Sequence, residues 1–126
     1  GRVANTEMAN FLRASDIYVS TALTDGTSLS LLEAMATALI PVATRIPANA
    51  EWVQGERGRL FAPRAVSEFA QAIVEIAQWP KTQRVAMGEK NRAIAIEKGS
   101  LNANWLRLEN RYYEWVAKVN AKRKKS

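Results

Sequence analysis

The chain of 126 residues contains neither cysteine nor histidine. The first absence excludes disulfides and thiolate zinc clusters. The second removes the commonest general base, and the two together remove the usual transition-metal ligands. Carboxylates remain, but nothing in their spacing recommends a magnesium site. No apolar run is long enough to span a bilayer and no signal-peptide pattern is present, which leaves the cytoplasm as the default compartment. Internal repeats and low-complexity linkers are absent too. Hydrophobic residues make up 48% of the chain, enough for one compact domain rather than two.

Charge is unevenly distributed. Five basic and six acidic residues precede Arg64, a balance of −1, whereas thirteen basic and six acidic residues from Arg64 onward give +7. Part of the excess is the run Lys122-Arg123-Lys124-Lys125, so residues 120–126 read as a basic tail on a domain of residues 1–119. Such a run is ordinarily a solvated end, but it also suits an anionic membrane face. Its attraction to nucleic acid is non-specific only, and no specific nucleic-acid partner is expected.

Hydrophobic periodicity alternates along the chain. Thr6 to Ala14 suits a short helix, Asp16 to Ser20 a strand, Leu29 to Leu39 a helix, and Pro41 to Thr44 a second strand. Ala48 to Val53 suits a helical turn, and Arg59 to Phe61 a third strand after a glycine-bounded loop. Three helices follow. Val66, Phe69, Ile73 and Ile76 form a stripe in the first, Val85 to Glu97 holds the second, and Trp105, Leu108, Tyr112, Trp115 and Val119 line the last. A stripe of this spacing points to core or domain contact rather than a cofactor box. The fold class is α/β: a partial Rossmann-like domain, three-layer αβα, with a short parallel sheet and a helix-rich carboxy-terminal half.

The chemistry gathers in Asp25-Gly26-Thr27-Ser28-Leu29-Ser30-Leu31-Leu32-Glu33. A strand precedes it, a glycine turn opens it, and a helix begins inside it. In an α/β domain this order aims the first amides of the helix at the crevice beyond the strand, where unpaired N–H groups and the helix dipole favour a phosphate. Glu33, one turn in, can reach what the phosphate carries. Two plainer readings compete. Asp25-Gly26 is an ordinary turn dipeptide, and Ser30-Leu31-Leu32-Glu33 matches a capping box, with Glu33 bonding a backbone N–H at the helix start.

The run SDIYVSTALTDGTSLSLLEAMATALIPVATRIPANAEWVQGERGRLF resembles the E-x7-E segment of the family 4 retaining glycosyltransferases, which have a GT-B fold. The likeness can be followed from about Ala14 to Phe61, and Trp105, Leu108 and Tyr112 sit like the closing helix of the same domain. The resemblance implies the donor-binding part of an enzyme that transfers sugar from a nucleoside diphosphate sugar to an unspecified acceptor, without metal or other cofactor. It further implies that Asp25 contacts the sugar hydroxyls and that the amides of Gly26, Thr27, Ser28 and Leu29 face the diphosphate. Glu33 would accept hydrogen bonds from the ribose. Asp25 and Glu33 are thus the acid pair assigned to catalysis.

Several positions depart from the family pattern. Asp25 stands where a longer glutamate is usual, Thr21-Ala22 replaces Pro-Ser before the loop, and Pro47-Ala48 replaces Gly-Gly after the next strand. These changes bear on which donor the loop accepts. Two alternatives follow: a non-catalytic module that binds a nucleotide sugar or a partner, and a GT-B-type nucleotide-sugar epimerase, against which the EAMA run and the acid pair argue. The resemblance starts near the third strand of the family's carboxy-terminal domain, so the chain reads as amino-terminally truncated. Its parent would be the enzyme, with the chain alone inactive and lacking its acceptor domain. On that reading the strand at Asp16 to Ser20 leaves an open edge, through which the chain is expected to self-associate, and the last helix leaves its aromatics uncovered.

Overall fold

The computed structural model describes residues 1–123, with side chains through Ala121. The basic run at 122–125 therefore lies outside the described side chains. Three short strands, β1 (Ile17–Ser20), β2 (Ile40–Thr44) and β3 (Arg59–Phe61), form one parallel sheet in the order β1-β2-β3. Val19 is level with Val42, and Val42 in turn with Arg59. Parallel strands need crossovers, and helices supply them. The helix α2 (Leu29–Ala36) and the single turn α3 (Pro47–Ala50) join the strands, α1 (Asn5–Arg13) precedes them, and α4 (Val66–Ala77), α5 (Lys81–Gly99) and α6 (Leu101–Arg123) follow.

The sheet is covered on both faces, as a parallel sheet requires. Ile40, Val42 and Phe61 pack with Ala72 and Ile76 of α4 and with Met87 of α5. Tyr18 and Leu60, pointing the other way, pack with the cluster of Leu31, Met35, Trp52, Val53 and Ala95. Alternation along each strand sends neighbouring side chains to opposite clusters, producing the αβα layering. The central strand β2 is buried at all five positions. At about 1.5–3 kcal/mol for each large aliphatic side chain removed from water, Ile40 and Val42 are strong contributors to the core.

Buried polar contacts fasten α5 to the sheet. The Asn91 amide, fully buried, donates to the carbonyls of Leu39 at 3.1 Å and Arg57 at 2.8 Å, tying the residue before β2 to the turn before β3. Asn49, 1% exposed, donates to the Thr44 carbonyl at 2.9 Å and closes the end of β2. On the surface Arg59 clamps Glu75 through two nitrogens, and its guanidinium lies 5.0 Å from the centre of the Trp79 ring.

Several element boundaries differ from the sequence pattern, most of them by one or two residues, and three differ by more. Helix α2 stops at Ala36, not Leu39, because Ala38 takes a left-handed backbone (φ 66°). The Ala38 and Leu39 amides then bond back to Met35 and Ala34 at 3.0 Å each, a helix stop in which glycine is usual. Helix α5 begins at Lys81, directly after Pro80, whose fixed φ suits the residue before a first turn. The short helical turn covers Pro47–Ala50, with proline at its start. Finally, the aromatic stripe of α6 is not core in this chain: from Leu101 to Ala121 every residue except Ala103 is exposed.

On the sheet's other side, β1 pairs only with β2. Among the described residues its outer edge has no strand against it. Val19 is 42% exposed there, consistent with the open edge anticipated from the sequence.

Candidate functional site

Because the three strands run parallel, Ser20, Thr44 and Phe61 end at the same edge of the sheet. Ligands in open α/β sheets sit beyond that edge. The Thr44 hydroxyl donates to the Ser20 carbonyl at 3.2 Å and holds the ends of β1 and β2 together. From Ser20 the chain runs through an exposed loop, residues 21–27, into α2.

The start of α2 is open. Ser28, 3% exposed, is its N-cap residue, yet its side chain makes no capping hydrogen bond. The hydroxyls engage one another instead: Ser30 Oγ lies 2.7 Å from the Tyr18 hydroxyl and 3.5 Å from Ser28 Oγ. The first backbone bond of the helix runs from the Leu32 amide to the Ser28 carbonyl at 3.1 Å. Among the described residues, the amides of Leu29, Ser30 and Leu31 donate to no backbone carbonyl. No acidic side chain lies in the first turn to offset the positive end of the helix dipole. The arrangement can hold an anion through fixed N–H groups at no cost in side-chain ordering.

Each residue singled out from the sequence can be placed. Asp25, Gly26 and Thr27 lie in the loop and are exposed, Leu29 opens α2 at 70% exposure, and Ser28 alone turns inward. Glu33 is exposed one turn beyond Leu29 on nearly the same face of the helix. Among the described residues its carboxylate accepts no hydrogen bond. The capping-box alternative is overturned: the N-cap is Ser28, so Ser30 and Glu33 fall at the second and fifth helical positions, too far along to cap. The Glu33 carboxylate is thus left available to an external partner.

Two concavities border this loop and helix. One, of about 540 Å³, lies between the start of α2, the turn after α3 and the α5–α6 junction, with Thr27 and Leu29 on one wall and Trp52, Arg57 and Lys98 among the others. Arg57 is held by the Gln54 carbonyl at 2.9 Å and by Gln54 Oε1 at 3.1 Å. The other, about 220 Å³ and mostly apolar, sits at the strand ends between Leu23, Phe61, Val66 and Phe69, with Arg64 at its side. Arg64 has a left-handed backbone (φ 67°). Sequence reasoning singled out none of the three cations. Arg57 and Lys98 reach the same groove from positions 41 residues apart, and neither has a local signature.

A family model described as glycosyl transferases group 1 matches residues 1–78, more than half of the chain. The matched span takes in the whole sheet, the loop, α2 and α4. Comparison with curated proteins yields no match.

Proposed function

The chain belongs to the group 1 glycosyl transferases, and from that premise we propose that the loop 21–27 and α2 bind the donor of a retaining sugar transfer. The donor is a nucleoside diphosphate sugar. The amides of Gly26, Thr27, Ser28 and Leu29 face the diphosphate, Glu33 accepts from the ribose hydroxyls, and Asp25 orients the sugar without shuttling a proton. The observation that supports the reading is the uncapped start of α2, where the amides of Leu29, Ser30 and Leu31 donate to no backbone carbonyl and, among the described residues, the exposed Glu33 carboxylate one turn further along accepts no hydrogen bond.

The chemistry follows from where charge develops. As the sugar leaves, negative charge builds on the diphosphate, and amides already aimed at it stabilise the departing group without reorganising. A preorganised donor of this kind is worth about 3 kcal/mol of barrier. In a whole transferase that includes this domain, Asp25→Ala lowers transfer strongly and the product keeps the anomeric configuration of the donor; an inverted product overturns the retaining assignment. A second reading, a module that binds without catalysis, is favoured by Asp25 in place of the longer acid and by Pro47-Ala48 where the family has two glycines.

Calorimetric titration of the chain with a nucleoside diphosphate tests the site. Loss of a hydrogen bond to a charged group costs about 1.5–3 kcal/mol, so Glu33→Gln should weaken binding tenfold or more. The melting temperature should not move, since Glu33 is exposed. Unchanged affinity in Glu33→Gln, or amide shifts remote from residues 25–33, would remove the ligand from this helix.

A further inference from the structure

Two helices of this chain follow a serine, and the two serines behave differently. Ser100 precedes α6: its carbonyl accepts from the Asn104 amide at 3.0 Å and its hydroxyl from the Ala103 amide at 3.4 Å, so it caps the helix. Ser28 stands in the same relation to α2, its carbonyl accepting from the Leu32 amide at 3.1 Å. The Leu31 amide is the counterpart of Ala103, yet the Ser28 hydroxyl makes no capping bond. Residue type does not explain the difference, since both are serine.

The surroundings of the hydroxyl do explain it. Ser28 is 3% exposed, and a hydroxyl so removed from water needs a partner within the protein. The partner it takes is Ser30 Oγ, 3.5 Å away and at the outer limit of a hydrogen bond. Ser30 Oγ is held in turn by the Tyr18 hydroxyl at 2.7 Å, the usual distance between two hydroxyls. Tyr18 belongs to β1, and its ring packs against the cluster that contains Leu31, Met35 and Trp52. The sheet and the core thus fix where this hydroxyl stands. The helix forgoes the gain of a serine cap, and the amides of Leu29, Ser30 and Leu31 donate to no backbone carbonyl.

A cap would work against the site. A Ser28 hydroxyl turned to Leu31 takes up one N–H group and sets its own lone pairs before an arriving phosphate. On the reading that α2 binds the donor diphosphate, we propose that Tyr18 is a positioning residue: its hydroxyl draws Ser30 and Ser28 together and so holds the start of α2 open. Tyr18 touches no part of the donor and acts through the two serines. Stability of the helix start is given up for a binding surface that needs no rearrangement.

Two measurements on the full chain test it: water exchange of the Leu31 amide without ligand, and affinity for inorganic pyrophosphate, both by nuclear magnetic resonance. Tyr18→Phe keeps the ring in the core and removes only the hydroxyl. With Ser30 released, Ser28 should turn to the Leu31 amide, whose exchange should slow about fivefold, and pyrophosphate should bind about tenfold more weakly. Adding Ser28→Ala to Tyr18→Phe removes the competing hydroxyl and should restore both values. A bond that merely fastens β1 to α2 predicts the reverse: faster exchange along α2, a lower melting temperature and no rescue by Ser28→Ala. That result overturns the proposal, as does a Leu31 amide that Tyr18→Phe leaves unchanged. Pyrophosphate has no ribose, so Glu33 does not enter, and the exchange measurement needs no ligand. A parent chain that ignores pyrophosphate while Tyr18→Phe still slows Leu31 exchange therefore sinks the donor reading and leaves the role of Tyr18 standing.

Discussion

The body between Ile17 and Gly99 and the helix α6 that follows it draw on similar apolar residues and put them to opposite use. In the body, Ile40, Val42, Phe61 and Ile76 are almost wholly removed from water; in α6, Trp105, Leu108, Tyr112 and Trp115 are at least 60% exposed. Periodicity does not separate the two, since α4 and α6 both carry regular stripes. The difference lies in what stands opposite. Phe69, Ile73 and Ile76 of the α4 stripe pack toward β2 and β3, which bring their own apolar faces, and only Val66 at its start stays exposed, whereas the stripe of α6 belongs to neither core cluster. A hydrophobic face is therefore a demand for a partner, and only the fold says whether the demand is met within the chain.

The sharpest way to break this comparison is to overfill the body and trim the helix. A Cβ added at Gly88 would lie 2.2 Å from the Ala38 carbonyl oxygen, and one at Gly58 2.3 Å from that of Pro41. Backbone stands in the way at both sites, so relief requires moving α5 or β2. Gly88→Ala should cost about 3 kcal/mol or prevent folding, whereas Trp115→Ala in α6 should change stability by less than about 0.5 kcal/mol. Chemical denaturation of both variants measures the contrast. Equal costs would mean that α6 packs on the body in solution.

The body's own unsealed side gives the next test. The outer edge of β1 offers unpaired backbone groups beside an exposed Val19, and we expect weak self-association there, seen as a concentration-dependent sedimentation coefficient. Val19→Lys, a charged side chain on an open edge, should restore the monomer. If Val19→Lys leaves the association intact and Trp115→Ala abolishes it, the two regions exchange roles.

A smaller effect is expected at the surface of the body. Arg59 holds the Glu75 carboxyl below the usual glutamate range, chiefly through their hydrogen bond, while Glu75 keeps the guanidinium protonated more firmly. The pair is open to solvent, with side chains 31% and 46% exposed, so screening leaves it under about 1 kcal/mol. A depressed carboxyl stabilises the fold above the unfolded glutamate value, and the benefit is lost as pH falls through the folded one. Glu75→Gln should thus be slightly less stable than the parent at pH 7, the gap narrowing as pH drops below about 4.3. Thermal melts at stepped pH check it; a gap that grows in acid would contradict the assignment.

What the sequence determined alone is local. The strand at Ile17–Ser20, the glycine turn and the helix from Leu29 are legible because alternation, turn residues and helical spacing act within a few neighbours, and the same stretch carries the family likeness. So is the order of strands and helices that makes the domain α/β. Tertiary structure decided what depends on contacts distant in sequence. Helix α2 stops at Ala36 where the chain turns close against Gly88, fifty residues on from Ala38, and nothing in Thr37-Ala38-Leu39 announces it. The N-cap falls at Ser28 and not Ser30 because Ser30 is drawn to the Tyr18 hydroxyl of β1. Arg57 and Lys98 share a groove only because Asn91 pins α5 to the turn before β3. The stripes of α4 and α6 read alike until the sheet covers one and not the other, since burial belongs to a pair of surfaces and a sequence pattern describes only one of them.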